Sequence, residues 1–270
     1  MLLMGESING TRKQVAEAIQ ARDAEFIKQL ALDQVKAGAG VLDVNGGVAG
    51  GKEIEDLLWL IDVVRGVTDT QLMVDSASPE ALQAGVEAAI ANGGKVPFIN
   101  SISGEQPRID TVIPLIEKYK CPVVGLCLSD QGIPPTAEDR YEVAAKLCKL
   151  VTDAGLPPED LWVDPLVLAI SADSGAALVS MGALKLIKER LPVRTTGGLS
   201  NVSFGLPNRP LLNRTFVSMC GGIGIDGIIV DVRNVLMMAT VRAIEALRGE
   251  DAYCGTYLKS HRQGLLDPKV

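Results

Sequence analysis

Glu6, Asp43, Asn45, Asp75, Asn100, Ser129, Asp164, Asn201 and Asp231 each fall at or just beyond the end of a short apolar run. For any one of them, the alternative role is an N-cap for the following helix. As a set they describe a lining of carboxylates and amides, with no clustered lysine and no Cys-x-x-Cys. Such a lining suits a neutral ligand rich in N–H donors better than a phosphate or a zinc ion. A carboxylate accepts two parallel N–H bonds from an amidine-like edge as it does from a guanidinium, and an asparagine beside it can donate and accept. A pterin has that edge and no charge to neutralise. Three or more carboxylates leave Mg²⁺ as the other reading, because oxygen ligands suit hard cations. The chain has one histidine, His261, near its end. That count excludes a central His-based triad, a multi-His metal site and His-Glu-x-x-His, and His261 itself reads as a solvated tail residue.

The elements that must position these groups are legible from periodicity. Eight apolar runs recur about every 32 residues, the spacing of a barrel of about 250 residues divided by eight. They are Leu2 to Gly5, Val41 to Val44, Gln71 to Val74, Val96 to Ile99, Pro122 to Leu128, Leu161 to Val163, Arg194 to Leu199 and Gly227 to Val230. Between them lie helical patterns. Glu53 to Val64 places apolar residues at three- and four-residue steps behind an acidic first turn, and Ile109, Val112, Ile113 and Ile116 repeat the pattern. Ser78-Pro79-Glu80 reads as a helix start, and Thr136 with Asp139 has capping-box spacing. Strand then helix, eight times, predicts a parallel sheet closed into a (β/α)₈ TIM barrel. The runner-up is an open doubly wound sheet. No linker or composition break divides the chain, so residues 1–270 read as a single domain.

The 270 residues are 47% hydrophobic and 22% charged, enough for a large aliphatic core and against intrinsic disorder. The net charge of −7 argues against binding a phosphate backbone. No apolar run is long enough to span a membrane, and Met1 to Glu6 lacks a basic leader segment. The five cysteines, odd in number, read as reduced thiols in a cytoplasm, most of them small core residues. Gly222-Ile-Gly-Ile-Asp-Gly227 matches a dinucleotide fingerprint, but it follows the expected helix Leu212 to Cys220 and precedes a strand. A fingerprint requires the reverse order, so this is a helix-to-strand loop. Trp59 and Met237-Met238 read as helix packing.

The stretches Gly5-Glu6-Ser7-Ile8-Asn9-Gly10, Leu42-Asp43-Val44-Asn45, Val74-Asp75-Ser76, Ile99-Asn100-Ser101, Val163-Asp164-Pro165-Leu166 and Gly198-Leu199-Ser200-Asn201-Val202-Ser203 occur in order at barrel spacing. With Asn208-Arg209-Pro210-Leu211-Leu212-Asn213-Arg214-Thr215-Phe216, the chain resembles the pterin-binding methyltetrahydrofolate:corrinoid methyltransferases over essentially its whole length. The resemblance implies a (β/α)₈ barrel, usually homodimeric, that moves a methyl group between N5 of tetrahydrofolate and the cobalt of a corrinoid held by a partner protein. It implies that Asp75, Asn100 and Asp164 bond the pterin ring, that Asn201 faces N5 as the catalytic residue, and that Gly198 and Ser200 shape the pocket through their backbone. Glu6, Asn9 and Asp43 would support them, with no bound metal. The chain departs from the family at Phe204, where a glutamine is frequent. The related dihydropteroate synthases carry a Ser-Arg-Lys type motif after the seventh strand, where this chain reads Leu199-Ser200-Asn201-Val202-Ser203. No Asp-x-His-x-x-Gly corrinoid motif is present, so the cobalt would arrive on the partner.

Overall fold

Parallel strands buried on both faces must be apolar on both, and each needs a crossover helix to return the chain to the starting end of the sheet. That rule is met eight times in the computed structural model, which describes residues 1–91 and 94–266. Strand β1 (Leu2–Asn9) leads into α1 (Lys13–Ala21) and α2 (Ala24–Ala37), β2 (Val41–Asn45) into α3 (Glu53–Arg65), and β3 (Gln71–Asp75) into α4 (Pro79–Ala91). The chain continues through β4 (Phe98–Ser103), α5 (Gln106–Tyr119), β5 (Val123–Leu126), α6 (Ala137–Asp153), β6 (Leu161–Asp164) and α7 (Ala176–Arg190). Strand β7 (Arg194–Thr195) precedes a 3₁₀ turn (Leu199–Ser203) and α8 (Arg209–Ile223). Then β8 (Gly227–Val230) precedes α9 (Val235–Leu247) and α10 (Gly255–Arg262). The strands pair in parallel in the order β7-β6-β5-β4-β3-β2-β1-β8. This is a (β/α)₈ TIM barrel, not the open doubly wound sheet.

The barrel closes through loop and side-chain bonds where β7 is too short to ladder with β8. Ile229 N–H donates to Gly197 O (3.1 Å), and the Asp226 carboxylate takes the Thr195 N–H (2.8 Å) and the Lys188 ammonium (2.8 Å). Two cores result. The outer one packs helix residues such as Leu57, Leu60, Ile61 and Val64 against outward-facing strand residues such as Leu42, Val74 and Ile99. Burying each such side chain contributes about 1.5 to 3 kcal/mol. The inner core fills the barrel with Met4, Val41, Met73, Phe98, Val124 and Trp162. The Phe98 and Trp162 rings meet edge to face at 5.9 Å.

Helix starts follow the expected chemistry. Thr136 Oγ1 accepts from Asp139 N–H (3.1 Å) and donates to the Asp139 carboxylate (2.7 Å), while Ser78 Oγ accepts from Ala81 N–H (3.2 Å). Helix α8 runs three residues past the expected end at Cys220. It stops at Gly224, whose φ of 110° is open to glycine, so the glycine cluster is a helix-to-strand loop.

Four strands differ from expectation by more than one residue at an end, while β2, β3 and β6 each extend one residue further and β8 matches. Strand β4 begins at Phe98 rather than Val96, because Pro97 has no N–H to ladder. It continues to Ser103 across a register shift, so that Ile102 and Ser103 pair with Gly125 and Leu126. Strand β5 is shorter than Pro122 to Leu128. Strand β7 stops at Thr195, because Asp226 supplies a side-chain acceptor in place of a strand. Strand β1 extends to Asn9 around an irregularity where the Gln34 side chain takes the Ser7 N–H (3.0 Å). A Cβ on Gly5 would sit 2.5 Å from that Gln34 oxygen, so only glycine admits the bond.

Candidate active site at the barrel mouth

Side chains alternate along a strand, so the residue two beyond an inward apolar one also points inward, one layer closer to the mouth. The steps are Met4 to Glu6, Val41 to Asp43, Met73 to Asp75, Phe98 to Asn100, Trp162 to Asp164 and Ile229 to Asp231. A polar layer thus caps the apolar barrel core at the carboxyl ends of the strands. Strand β7 is too short to take this step, its Asn201 riding on the 3₁₀ turn that follows, and strand β5 departs from it as well. Its inward step from Val124 reaches Leu126, while Ser129 lies beyond in a tight loop, bonded to Gly132 O (3.1 Å). The expectation that all eight strands end in a polar group at the mouth is corrected to this extent.

Asp75 and Asn100 share a cavity of about 280 Å³ with Ser76, Ser103, Leu126 and Arg108. Asn45 Nδ2 donates to Asp75 Oδ2 (2.9 Å), its own Oδ1 being held by Gly47 N–H (2.8 Å). Burial pushes the Asp75 carboxyl above its usual range, against the Asn45 bond and the Arg108 charge. Asp43 lies beside it, 3% exposed, with Oδ1 lacking any partner. Burial first, and the Asp75 charge second, push Asp43 well above the usual carboxylate range, opposed by a hydrogen bond from Asn100. Glu6 pairs with Arg12 (2.8 Å), which also reaches Asp231 (3.4 Å), and burial raises the Glu6 carboxyl. Asn9 spends its oxygen on Thr11 N–H (2.9 Å) and Oγ1 (2.7 Å), which shapes the loop after β1.

Asp164 is 8% exposed. Its Oδ1 accepts from Leu166 N–H (2.8 Å) and its Oδ2 from Gly198 N–H (3.4 Å), and burial pushes its pKa up to about 6. Gly198 opens the 3₁₀ turn that carries Ser200 and Asn201. A Cβ at Gly198 would lie 3.9 Å from Asn201 Nδ2, so the Asn201 amide lies close over that glycine, exposed at the mouth. Ser200, Glu6, Arg12, Arg209, Asn213 and Arg214 line a second cavity of about 370 Å³.

Three arginines that the sequence pattern did not single out organise these groups. Arg108 donates to Ser101 O (2.6 Å), Ser76 O (2.8 Å) and Ala77 O (3.1 Å), tying the ends of β3 and β4 together. Arg140, 2% exposed, does the same for the loops after β5 and β6. Arg209 donates to Ser200 O (3.0 Å) and Ser203 Oγ (3.1 Å) on either side of Asn201 and stacks on the Phe204 ring at 5.6 Å. The turn therefore has a cation after all, but one whose donors hold the turn itself. On a sequence each of these arginines looks like a solvated helix residue, and only their contacts distinguish them.

His261 is exposed, Trp59 packs under Arg22 (5.1 Å), and Met237 and Met238 are buried. All five cysteines are free. Burial pushes the Cys121 and Cys220 thiols up to about 12 and Cys127 further still, so these three stay neutral. Among the described residues no group of three or more His, Cys, Asp or Glu is placed to hold a metal ion, and no helix is long and apolar enough to cross a membrane.

Residues 5–231 match the model of the family described as pterin binding enzyme. The chain is 34% identical over 271 residues to a methylcorrinoid:tetrahydrofolate methyltransferase of Eubacterium limosum, an alignment that covers 99% of this chain and 98% of that protein. It is 31% identical over 250 residues to methionine synthase of Mycobacterium leprae, covering 87% of this chain but only 20% of that longer protein. Among solved structures, dihydropteroate synthase of Xanthomonas albilineans with 4-aminobenzoic acid superposes with a TM-score of 0.67 at 20% identity, over 93% of this chain and 92% of that one. At that identity the likeness speaks for the barrel alone.

Proposed function

The chain belongs to the pterin-binding enzyme family, and from that premise we propose that it is a methyltransferase moving a methyl group between N5 of tetrahydrofolate and the cobalt of a corrinoid carried by a partner protein. The observation that carries this reading is the end-to-end 34% identity to a protein of that named activity. We take residues 1–270 to act as one pterin-binding domain, in a cytoplasmic homodimer whose barrel mouth receives the corrinoid protein. The free thiols, three of them buried, support a reducing compartment for it.

In this reading Asp75 and Asp164 accept N–H donors from the pterin edge, with Asn100 donating and accepting between them. The ordered acceptors fix the ring before reaction, so the methyl group and the cobalt meet in a defined geometry. Gly198 and Ser200 bring backbone against the ring. Asp43 and Glu6 sit behind the acceptors, and Asn9 holds the β1 loop. Asn201 faces N5. When reduced cobalt takes the methyl group, the N5–methyl bond breaks towards nitrogen, which needs a proton or a donated hydrogen bond as it leaves. An amide does not titrate, so Asn201 donates to N5 or orients a water, a contact that strengthens as charge gathers on nitrogen. In the opposite sense the N5 lone pair takes the methyl group from methyl-cobalt, N5 loses its proton, and cobalt keeps the bonding pair. Microscopic reversibility gives both senses the same site.

The competing reading within the family is a synthase that condenses a pterin pyrophosphate with an aromatic amine. Incubation with tetrahydrofolate and methylcobalamin should yield 5-methyltetrahydrofolate by chromatography, and incubation with pterin pyrophosphate and 4-aminobenzoate should yield no condensation product. The reverse pattern would transfer the assignment to the synthase. Folate binding with neither product would leave a non-catalytic folate-binding subunit.

A further inference from the structure

Arg140 has no carboxylate within salt-bridge distance among the described residues, yet its guanidinium is buried almost completely. A buried cation is costly unless its donors are satisfied and a counter-charge is near. Two of its three nitrogens donate to backbone. Nε bonds Pro134 O (2.9 Å) in the loop after β5, and Nη1 bonds Pro165 O (3.0 Å) and Leu166 O (2.7 Å) in the loop after β6. Leu166 has a φ of 63°, a left-handed conformation that a bulky residue adopts only when its surroundings hold it. It is held on both sides, because its carbonyl accepts from Arg140 and its N–H donates to Asp164 Oδ1 (2.8 Å).

We propose that Arg140 is a positioning residue for Asp164, fixing Leu166 so that its N–H caps the carboxylate while the uncancelled guanidinium charge acts on the same group. The groups facing Asp164 leave little else to do this. Cys127, just past β5, and Cys220, from α8, are neutral thiols, and the loop after β7 offers only the longer Gly198 N–H bond (3.4 Å). Against the burial that pushes Asp164 up to about 6, the opposing influences are the Leu166 and Gly198 bonds and the Arg140 charge. Arg140 supplies one of these and places another.

The test reads Asp164 directly in the free protein, by carboxyl ¹³C NMR, with the resonance identified by its loss in Asp164→Asn. Arg140→Gln should move the midpoint up by about one pH unit, a tenfold rise in proton affinity. Arg140→Lys, which keeps the charge and loses the fork, should move it by less. Calorimetric affinity for 5-methyltetrahydrofolate should follow, with Arg140→Gln weakened about fivefold near pH 6 and restored towards the parent value by pH 8.5. In an Asp164→Asn background, Arg140→Gln should no longer change the pH profile. An unmoved Asp164 midpoint in folded Arg140→Gln overturns the proposal, as does an equal loss of affinity at every pH. If the Gln variant does not fold, a parent-like midpoint in Arg140→Lys overturns it. The binding consequence rests on the pterin-site reading. An unaltered protein that bound no folate, but whose Asp164 midpoint still moved with Arg140, would sink that reading and support this one.

Discussion

Asp164→Asn separates the demands of folding from those of binding. Burial raises the Asp164 pKa from an ordinary 3.8 to about 6. A carboxyl with a raised folded-state pKa binds its proton more tightly folded than unfolded, so ionising it works against the fold. That burden is absent below the unfolded pKa, grows as pH rises from about 4 to 6, and is complete above 6. A difference of roughly 2 units is worth about 3 kcal/mol at pH 7.5 and only about 0.5 kcal/mol at pH 4. The asparagine keeps the Leu166 bond, because its carbonyl oxygen can replace Oδ1, and loses the long Gly198 bond, worth about 1 kcal/mol. The variant should therefore be about 2 kcal/mol more stable than the parent at pH 7.5, raising Tm by roughly 4 to 8 °C. Near pH 4 the advantage should vanish. Folate affinity should fall about 5- to 150-fold at pH 7.5, because the amide cannot accept two N–H donors. Scanning calorimetry at the two pH values and titration calorimetry at the higher one provide the readings. A variant less stable than the parent at pH 7.5 would refute the claim that binding chemistry, not folding, requires the charge there.

Asp75→Ala should likewise weaken 5-methyltetrahydrofolate by about 5- to 150-fold in titration calorimetry, by leaving buried ligand donors unpaired, and unchanged affinity would remove Asp75 from the pterin edge. Asn201→Ala should lower the stopped-flow methyl-transfer rate by about 10²- to 10³-fold and affinity by much less, since its donation counts most in the transition state. A rate within about twofold of the parent would confine Asn201 to shaping the turn. Asn201→Asp should also be slow at neutral pH, where a carboxylate offers no proton, and should recover in part on acidification. His261→Ala and prolonged EDTA treatment should both leave the rate unchanged, and loss of transfer in either with the fold intact would contradict the assigned chemistry.

The polar layer at the mouth was legible in the sequence because period-two alternation ties it to the barrel core. Once Met73 and Trp162 are read as inward, Asp75 and Asp164 must be too. The same logic was blind where a strand departs from its period. Leu126 occupies the β5 position that Ser129 was expected to supply, and β7 yields its place to the Asp226 carboxylate, a side chain more than thirty residues away in sequence. Polar residues inside a strand also misled, since the apolar run ends at Ile99 while β4 continues to Ser103, where pairing with β5 buries Ile102 and Ser103. The arginines could not be read, because a helix arginine that donates to loop carbonyls has the same local pattern as one that meets water. Arg108, Arg140 and Arg209 each act across loops that only the closed barrel brings together.

The most direct test of the assigned reaction is the corrinoid spectrum itself. Mixed anaerobically with 5-methyltetrahydrofolate and reduced cobalamin, the protein should convert the reduced-cobalt absorbance to that of methylcobalamin. Mixed with tetrahydrofolate and methylcobalamin, it should drive the opposite change, both at rates that fall with Asn201→Ala. A corrinoid spectrum unchanged in both directions, by protein that calorimetry shows to bind folate, would contradict the account.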